Sequence, residues 1–561
     1  MRNGFRLGAL FVALSLFVSS SGLAAQSVSD LPLTWQEQEN FRSGPTPFEP
    51  LMDFWYELDA MSELVTMRPL TRTLLDREFN LVTIADPMIE TPEDALRSGK
   101  TIVLLAPSVY GGEVSPKEAV QLIAKQLVAD DGDLRDVLED VIVLAVPLIN
   151  PDGGEVRRRT NESGYDMNRD YLKLESQEIH ALVTQVLNEW SPDIHVDGHH
   201  GGSDPYVITY QGTLNPAADA ELRAYPYDNI FPLIREAVRE EDYAAFDYSG
   251  VRNNGPEGRG WGSTSIEPRK HHVYTGLTNS IGILLETPSN RNRVMADGTI
   301  QPIPDEERYY HQVRGGVLAT GAILEAAADQ REAIRAVTTG ARLRAIEAGM
   351  TGGDPIVLDY EQTVRGIEPV WMPVEDEEGE RTYELQEVPV YLGYEASRTT
   401  PRPVGYLLPP AAANVVPLLM DQDIAVYRFR DEAAIDAEVY YATEVNFQGG
   451  NPYDAYFQGS YLLETEVRKE NQALDVVPGW FWVPTAQSKA NLISYLMEPE
   501  TDDNLITWGF LNHILEATEE PDEDGERVPM IRVMDHQDLP VVRVQPFNRY
   551  DANRFYMPYG R

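Results

Sequence analysis

The chain of 561 residues contains no cysteine. Disulfides, thiolate metal sites and cysteine nucleophiles are therefore excluded. Basic residues are also scarce, with 46 Lys and Arg against 90 Asp and Glu, for a net charge of −44. Such acidity disfavours nucleic acid and anionic membranes as partners. After the first 25 residues no apolar run reaches the length needed to cross a bilayer, so no membrane span is expected in the mature chain.

The N-terminus is different. Arg2 and Arg6 precede the apolar stretch Leu7–Val18, and Gly22-Leu23-Ala24-Ala25 supplies small residues. This pattern reads as a bacterial secretory signal over residues 1–25, cleaved after Ala25, and it places the mature protein in the periplasm or outside the cell.

The length exceeds what one hydrophobic core accommodates, so several domains are expected. Leu51–Leu75 reads as a helix and Phe79–Ile84 as a strand. Between about 100 and 345, apolar runs alternate with helical patterns. Thr101–Ala106, Val141–Ile149, Ile194–Asp197 and Ser280–Glu286 read as strands. A helix opens at Ser115-Pro116, where Ser caps and Pro occupies the first turn. Another is marked by Ile179, Leu182, Val183, Val186, Leu187 and Trp190 at helical spacing, and a long helical stretch covers Arg308–Ala348. The alternation predicts an α/β fold with a mixed sheet flanked by helices over residues 26–350. Thr351-Gly352-Gly353-Asp354-Pro355 breaks the pattern, and residues 355–545 read as a β-rich accessory domain.

Chemistry collects where strands end. Tyr110-Gly111-Gly112-Glu113 follows the first strand of this region. Asn150-Pro151-Asp152-Gly153, Arg157-Arg158-Arg159 and Asp166-Met167-Asn168-Arg169 follow the second, Asp197-Gly198-His199 closes the third, and Glu286 closes the fourth. Ligands of α/β folds sit at such strand ends. A carboxylate ending an apolar strand is costly unless paired or used. Taken singly, an NPDG segment is a turn, an Arg triplet is surface, and a Glu beside a helix start is solvated.

Taken in order, these segments resemble the zinc carboxypeptidase family, carboxypeptidase A-like metallopeptidases, and in particular a bacterial secreted branch of it. Supporting stretches are Asp166–Glu175, Pro192–His199, Pro268–Asn279, Val483–Gln487 and Glu498–Asp503. The resemblance implies a carboxypeptidase-like fold, one Zn²⁺, and hydrolysis of a peptide or amide bearing a free C-terminal carboxylate. It implies Glu113 and His199 as metal ligands, Glu286 as the general base acting through zinc-activated water, and Asp166 as the carboxylate behind the first histidine ligand. One of Arg157, Arg158 and Arg159, with Arg158 favoured, corresponds to the oxyanion-steadying arginine, and Asn168 with Arg169 to the pair gripping the terminal carboxylate.

One position departs. Where the family carries its first histidine ligand, this chain has Tyr110. A phenol ligates zinc only if deprotonated, and its ordinary pKa is near 10. Two readings follow: a working metallocarboxypeptidase with an unorthodox third ligand, or a catalytically impaired pseudo-enzyme that binds C-terminal carboxylates without stable zinc. His195 and His200 are the replacement ligands to consider, a Tyr110–Asp166 hydrogen bond is the expected filler in the absence of metal, and His271 and His272 are expected near the substrate groove.

Overall fold

The computed structural model describes residues 26–289, 291–295, 298–375, 379, 381–447, 463–515 and 526–545. The expected secretion signal, residues 1–25, lies outside the described residues.

The central element is an eight-stranded mixed sheet. Its strands are β1 (Val65–Arg72), β2 (Glu78–Ile84), β3 (Thr101–Pro107), β4 (Val141–Ala145), β5 (Ile194–His199), β6 (Ile208–Gly212), β7 (Ala245–Asp247) and β10 (Ile281–Glu286), with β8 (Gly250–Gly255) and β9 (Gly258–Gly262) lying elsewhere. The order across the sheet is β1-β2-β4-β3-β5-β10-β6-β7. Strands β4, β3, β5 and β10 run parallel and occupy the middle, while β2 and β6 run antiparallel to their neighbours there. Strands β3, β4, β5 and β10 are buried along their whole length. That explains their unbroken apolar runs: helices cover both faces of a parallel sheet.

The Ser115–Val128 helix begins at the expected place, with Pro116 in its first turn, but Ser115 does not cap it: Val114 is the N-cap, and Ser115 Oγ bonds Thr287 Oγ1 at 2.6 Å. The expected helix at 179–190 is a continuous helical run from Gln177 to Trp190 with a π-type turn in its middle. Arg308–Asp329 and Arg331–Thr351 are two helices rather than one. The expected Leu51–Leu75 helix is corrected more strongly. The helix is Phe48–Met61, and the chain then turns into β1. Pro69 and the β-branched Val65, Thr66 and Thr71 suit a strand and penalise a helix.

Beyond Thr351 the chain is β-rich, as the composition shift implies. A seven-stranded sheet runs in the order Leu463–Val476, Ala433–Phe447, Glu526–Val533, Gly405–Leu408, Phe481–Pro484, Tyr427–Phe429, Val541–Arg543. The two regions interlock. Strand β9 pairs with Arg381–Tyr391. Asp503 accepts from the backbone N–H of Arg269 at 3.1 Å, and Gln422 accepts from the Tyr274 hydroxyl at 2.5 Å. Among the described residues no helix is long and apolar enough to cross a membrane.

Candidate active site

Because β3, β4, β5 and β10 are parallel neighbours, their C-terminal ends open on one edge of the sheet. Glu286 and His199 are register partners across β10 and β5.

The loop after β3 is held by its neighbours' backbones. Ser108 adopts φ 61° and donates its N–H to Gly198 O at 2.9 Å, and the Gly111 N–H donates to Arg158 O at 3.0 Å. A Cβ on Gly111 would stand 2.1 Å from the Gly153 carbonyl carbon, so only glycine fits. The NPDG segment is a clamp. Asn150 Nδ2 donates to Val109 O at 3.1 Å and Arg159 O at 3.2 Å, and Asn150 Oδ1 accepts from Gly153 N. Asp152 accepts from Thr73 and Arg77 and so belongs to the scaffold.

On the metal side, His199 Nδ1 lies 2.7 Å from Glu113 Oε2, and His199 Nε2 lies 3.0 Å from Asp197 Oδ1. Glu113 Oε2 also accepts from the backbone N–H of His200 at 3.1 Å. Burial opposes a charge on His199, but Asp197 and Glu113 overcome it and hold its pKa well above the usual histidine range. Burial likewise opposes the Asp197 carboxylate, yet His199, His271 and His272 hold its pKa well below the usual range.

Tyr110 occupies the third corner. Its ring is buried, the Arg159 guanidinium lies 3.6 Å from the ring centroid, and its hydroxyl accepts from Arg169 Nη1 at 3.1 Å. Burial raises its pKa far above the ordinary tyrosine value, with Arg169 opposing. The expected Tyr110–Asp166 bond does not form. Asp166 Oδ2 accepts instead from Arg159 Nε at 2.8 Å, and Oδ1 from the Asn168 N–H at 3.0 Å.

The donor set is poor for zinc: Glu113 and His199 are suitable ligands, but the third position holds the phenol of Tyr110, which ligates only once deprotonated, and burial disfavours that charge. Neither replacement histidine helps. His200 turns its Nε2 to Gln312 at 2.9 Å, and His195 lies back in the sheet beside His271 at 3.3 Å. Among the described residues, no three His, Cys, Asp or Glu side chains converge to hold a metal.

On the carboxylate side, Arg159 anchors only its Nε, to Asp166, and its side chain is 44 % exposed. Arg158 points elsewhere, to Thr160 O, Asn161 O and Glu162. Within the triplet it is thus Arg159 that faces the site. Arg169 is half-buried and also donates to Asn168 O. Asn168 is buried, with Nδ2 3.2 Å from His199 Nε2 and Oδ1 accepting from the His271 N–H at 2.9 Å. Its amide therefore braces the site from behind.

Glu286 is buried, and its Oε2 has no hydrogen-bond partner. Burial pushes its pKa up to about 8, the nearby Glu113 and Asp197 add to this, and His199 opposes it. One participant, Asp197, carries no role in the sequence reading. The histidine pair His271 and His272 is placed differently from expectation. Their Nδ1 atoms stand 3.5 and 3.6 Å from Asp197, and both are buried behind the site rather than lining a groove.

Comparison with known proteins finds similarity to carboxypeptidases. A family model described as zinc carboxypeptidase matches residues 51–224, a span that contains Tyr110, Glu113, Asp166, Asn168, Arg169 and His199. Carboxypeptidase 2 of Trichophyton rubrum is 22 % identical over 482 residues, covering 81 % of this chain and 80 % of that protein. Carboxypeptidase 2 of Trichophyton equinum is 22 % identical over 519 residues, covering 88 % and 87 %. Among solved structures, a metallo-carboxypeptidase from Burkholderia cenocepacia is 20 % identical with a TM-score of 0.40, over 50 % of this chain and 70 % of that one. The chain is similar to zinc carboxypeptidases, and a place in that family is supported by the family model and these relatives.

Proposed function

We propose that this protein is a periplasmic or secreted, carboxypeptidase-like receptor for peptide C-termini that works without a resident zinc. The observation that carries the reading is the buried phenol of Tyr110 in the place of a third ligand, beside Glu113 and His199, which bond each other at 2.7 Å. The guanidiniums of Arg159 and Arg169, one on the ring of Tyr110 and one on its hydroxyl, supply the positive charge that a terminal carboxylate seeks. In this reading residues 26–350 form the recognition domain, and 355–545 an accessory domain packed behind it.

A second reading, peptide hydrolysis, is favoured by Glu286. A buried carboxyl with a bare oxygen is suited to proton transfer at a scissile amide. In that reading Arg159, rather than Arg158, steadies the oxyanion, and a third metal ligand must come from beyond Glu113 and His199.

The test is a pair of peptides identical except for a free or an amidated C-terminus, titrated into the protein in the presence of a chelator. The receptor reading expects the free acid to bind at least about tenfold tighter, as the loss of one charge-assisted contact implies. Equal affinities overturn it.

A further inference from the structure

The loop that carries Asn168 and Arg169 is held from the β-rich region beyond Thr351. Between Asp166 and Ser176 only the short helical turn Met167–Arg169 forms regular structure. The backbone of such a buried loop must find its partners outside any helix or sheet. Tyr171 and Leu172 are buried, and the carbonyls of both accept from Gln422 Nε2, at 2.8 and 3.2 Å. Gln422 is fully buried and lies 250 residues beyond Leu172 in the chain.

The same amide reaches a second segment. Gln422 Oε1 accepts from the Tyr274 hydroxyl at 2.5 Å. Tyr274 belongs to the helix His271–Leu277, whose first N–H donates to Asn168 Oδ1 at 2.9 Å. The Tyr171 ring stacks on His271, with centroids 4.6 Å and planes 5° apart. Loop and helix therefore meet at Asn168 and are bridged again by Gln422. A side-chain amide offers both donors and an acceptor, which is what two carbonyls and a hydroxyl require. Gln422 is itself fixed: its N–H donates to Leu418 O at 2.9 Å, and its carbonyl accepts from Lys489 Nζ at 2.7 Å. Beside it, Asn188 Nδ2 donates to Asp421 O at 2.8 Å.

We propose that Gln422 is a positioning residue for the site. It fixes the loop on which Asn168 and Arg169 stand, and so makes the β-rich region part of the recognition of a C-terminal carboxylate. Arg169 donates to Asn168 O and to the Tyr110 hydroxyl, so its guanidinium moves with this loop. The role rests on the reading of Arg169 as a carboxylate contact given under Proposed function.

Gln422→Met keeps the side chain's length and removes its hydrogen bonds. Tyr274→Phe removes one hydroxyl and carries the test where the first variant does not fold. Two quantities are measured on the full chain: affinity for the free-acid and amidated peptides, and backbone hydrogen exchange over residues 166–176. In both variants exchange there is expected to quicken at least about tenfold. The free-acid peptide is expected to bind at least about tenfold more weakly, with the amidated peptide unchanged. Thr485→Val severs a different buried tie, to Gly349 O, and is expected to change neither quantity. Unchanged exchange at 166–176 overturns the proposal, as does an equal loss of free-acid binding in Thr485→Val. In a wild type that prefers the free acid, faster exchange with unchanged affinity also overturns it. A wild type that binds both peptides equally overturns the receptor reading instead, and the exchange alone then decides whether Gln422 holds the loop.

Discussion

The two halves of the strand-end site use their charges in opposite ways. On the metal side, Glu113, His199 and Asp197 form a closed chain of bonds, and Tyr110 fills the remaining corner. On the carboxylate side, Arg159 spends one nitrogen on Asp166 and leaves its side chain partly open. A site can therefore keep the electrostatics of recognition while its ligand groups neutralise one another.

The comparison can be broken first at Asp197. It is the buried carboxylate to which His199, His271 and His272 all turn. Asp197→Ala removes the carboxylate those imidazoles share, and a loss of about 3–5 kcal/mol is expected in denaturant unfolding. A loss under about 1 kcal/mol would mean that the closed network is not what holds the metal side.

The carboxylate side has its own weak point, in Glu178, which accepts from Asn161 in the loop that carries Arg159. Burial pushes its pKa up from 4.5 to about 7. The folded state thus binds the proton more tightly, and stability falls as pH rises through that window. The decrease is at most about 3–4 kcal/mol at roughly 1.4 kcal/mol per unit. Glu178→Gln should flatten the pH profile between 4.5 and about 7, and an unchanged slope would count against it.

Smaller effects distinguish the two arginines. Arg169→Ala should weaken binding of a free C-terminus by about 1.5–3 kcal/mol, roughly ten- to a hundredfold, with little change in melting temperature. Arg159→Ala should cost less, about 0.5–1 kcal/mol, since its stacking on Tyr110 is partly exposed. The reverse order, measured by the same titration, would exchange their roles.

Much of this was legible in the sequence, for physical reasons that can be named. Strands β3, β5 and β10 are apolar runs buried on both faces. Strand β10 ends in Glu286 and β5 in His199, polar groups that are costly to bury unless they are paired or used, and β3 leads into the Gly-rich turn before Glu113. The arginine triplet could not be resolved from composition. Arg157 takes φ 53°, and this left-handed turn sends Arg158 to Glu162 and Arg159 to Asp166. Three neighbouring arginines look alike until the loop geometry is known. The meeting of Asp197 with His271 and His272 depends on how the His271–Leu277 helix packs against β5 and β10, a long-range fact with no local signature. Helix periodicity misled at Leu51–Leu75, where Pro69 already argued for a break.

Metal content bears most directly on the claim that the metal side is closed. Wild-type protein and a Tyr110→His variant would be exposed to zinc, dialysed and assayed for bound metal. The account predicts wild type with well under one zinc per chain and the variant with about one, since the imidazole restores the three-ligand set. A wild type that holds one zinc per chain through dialysis would contradict it.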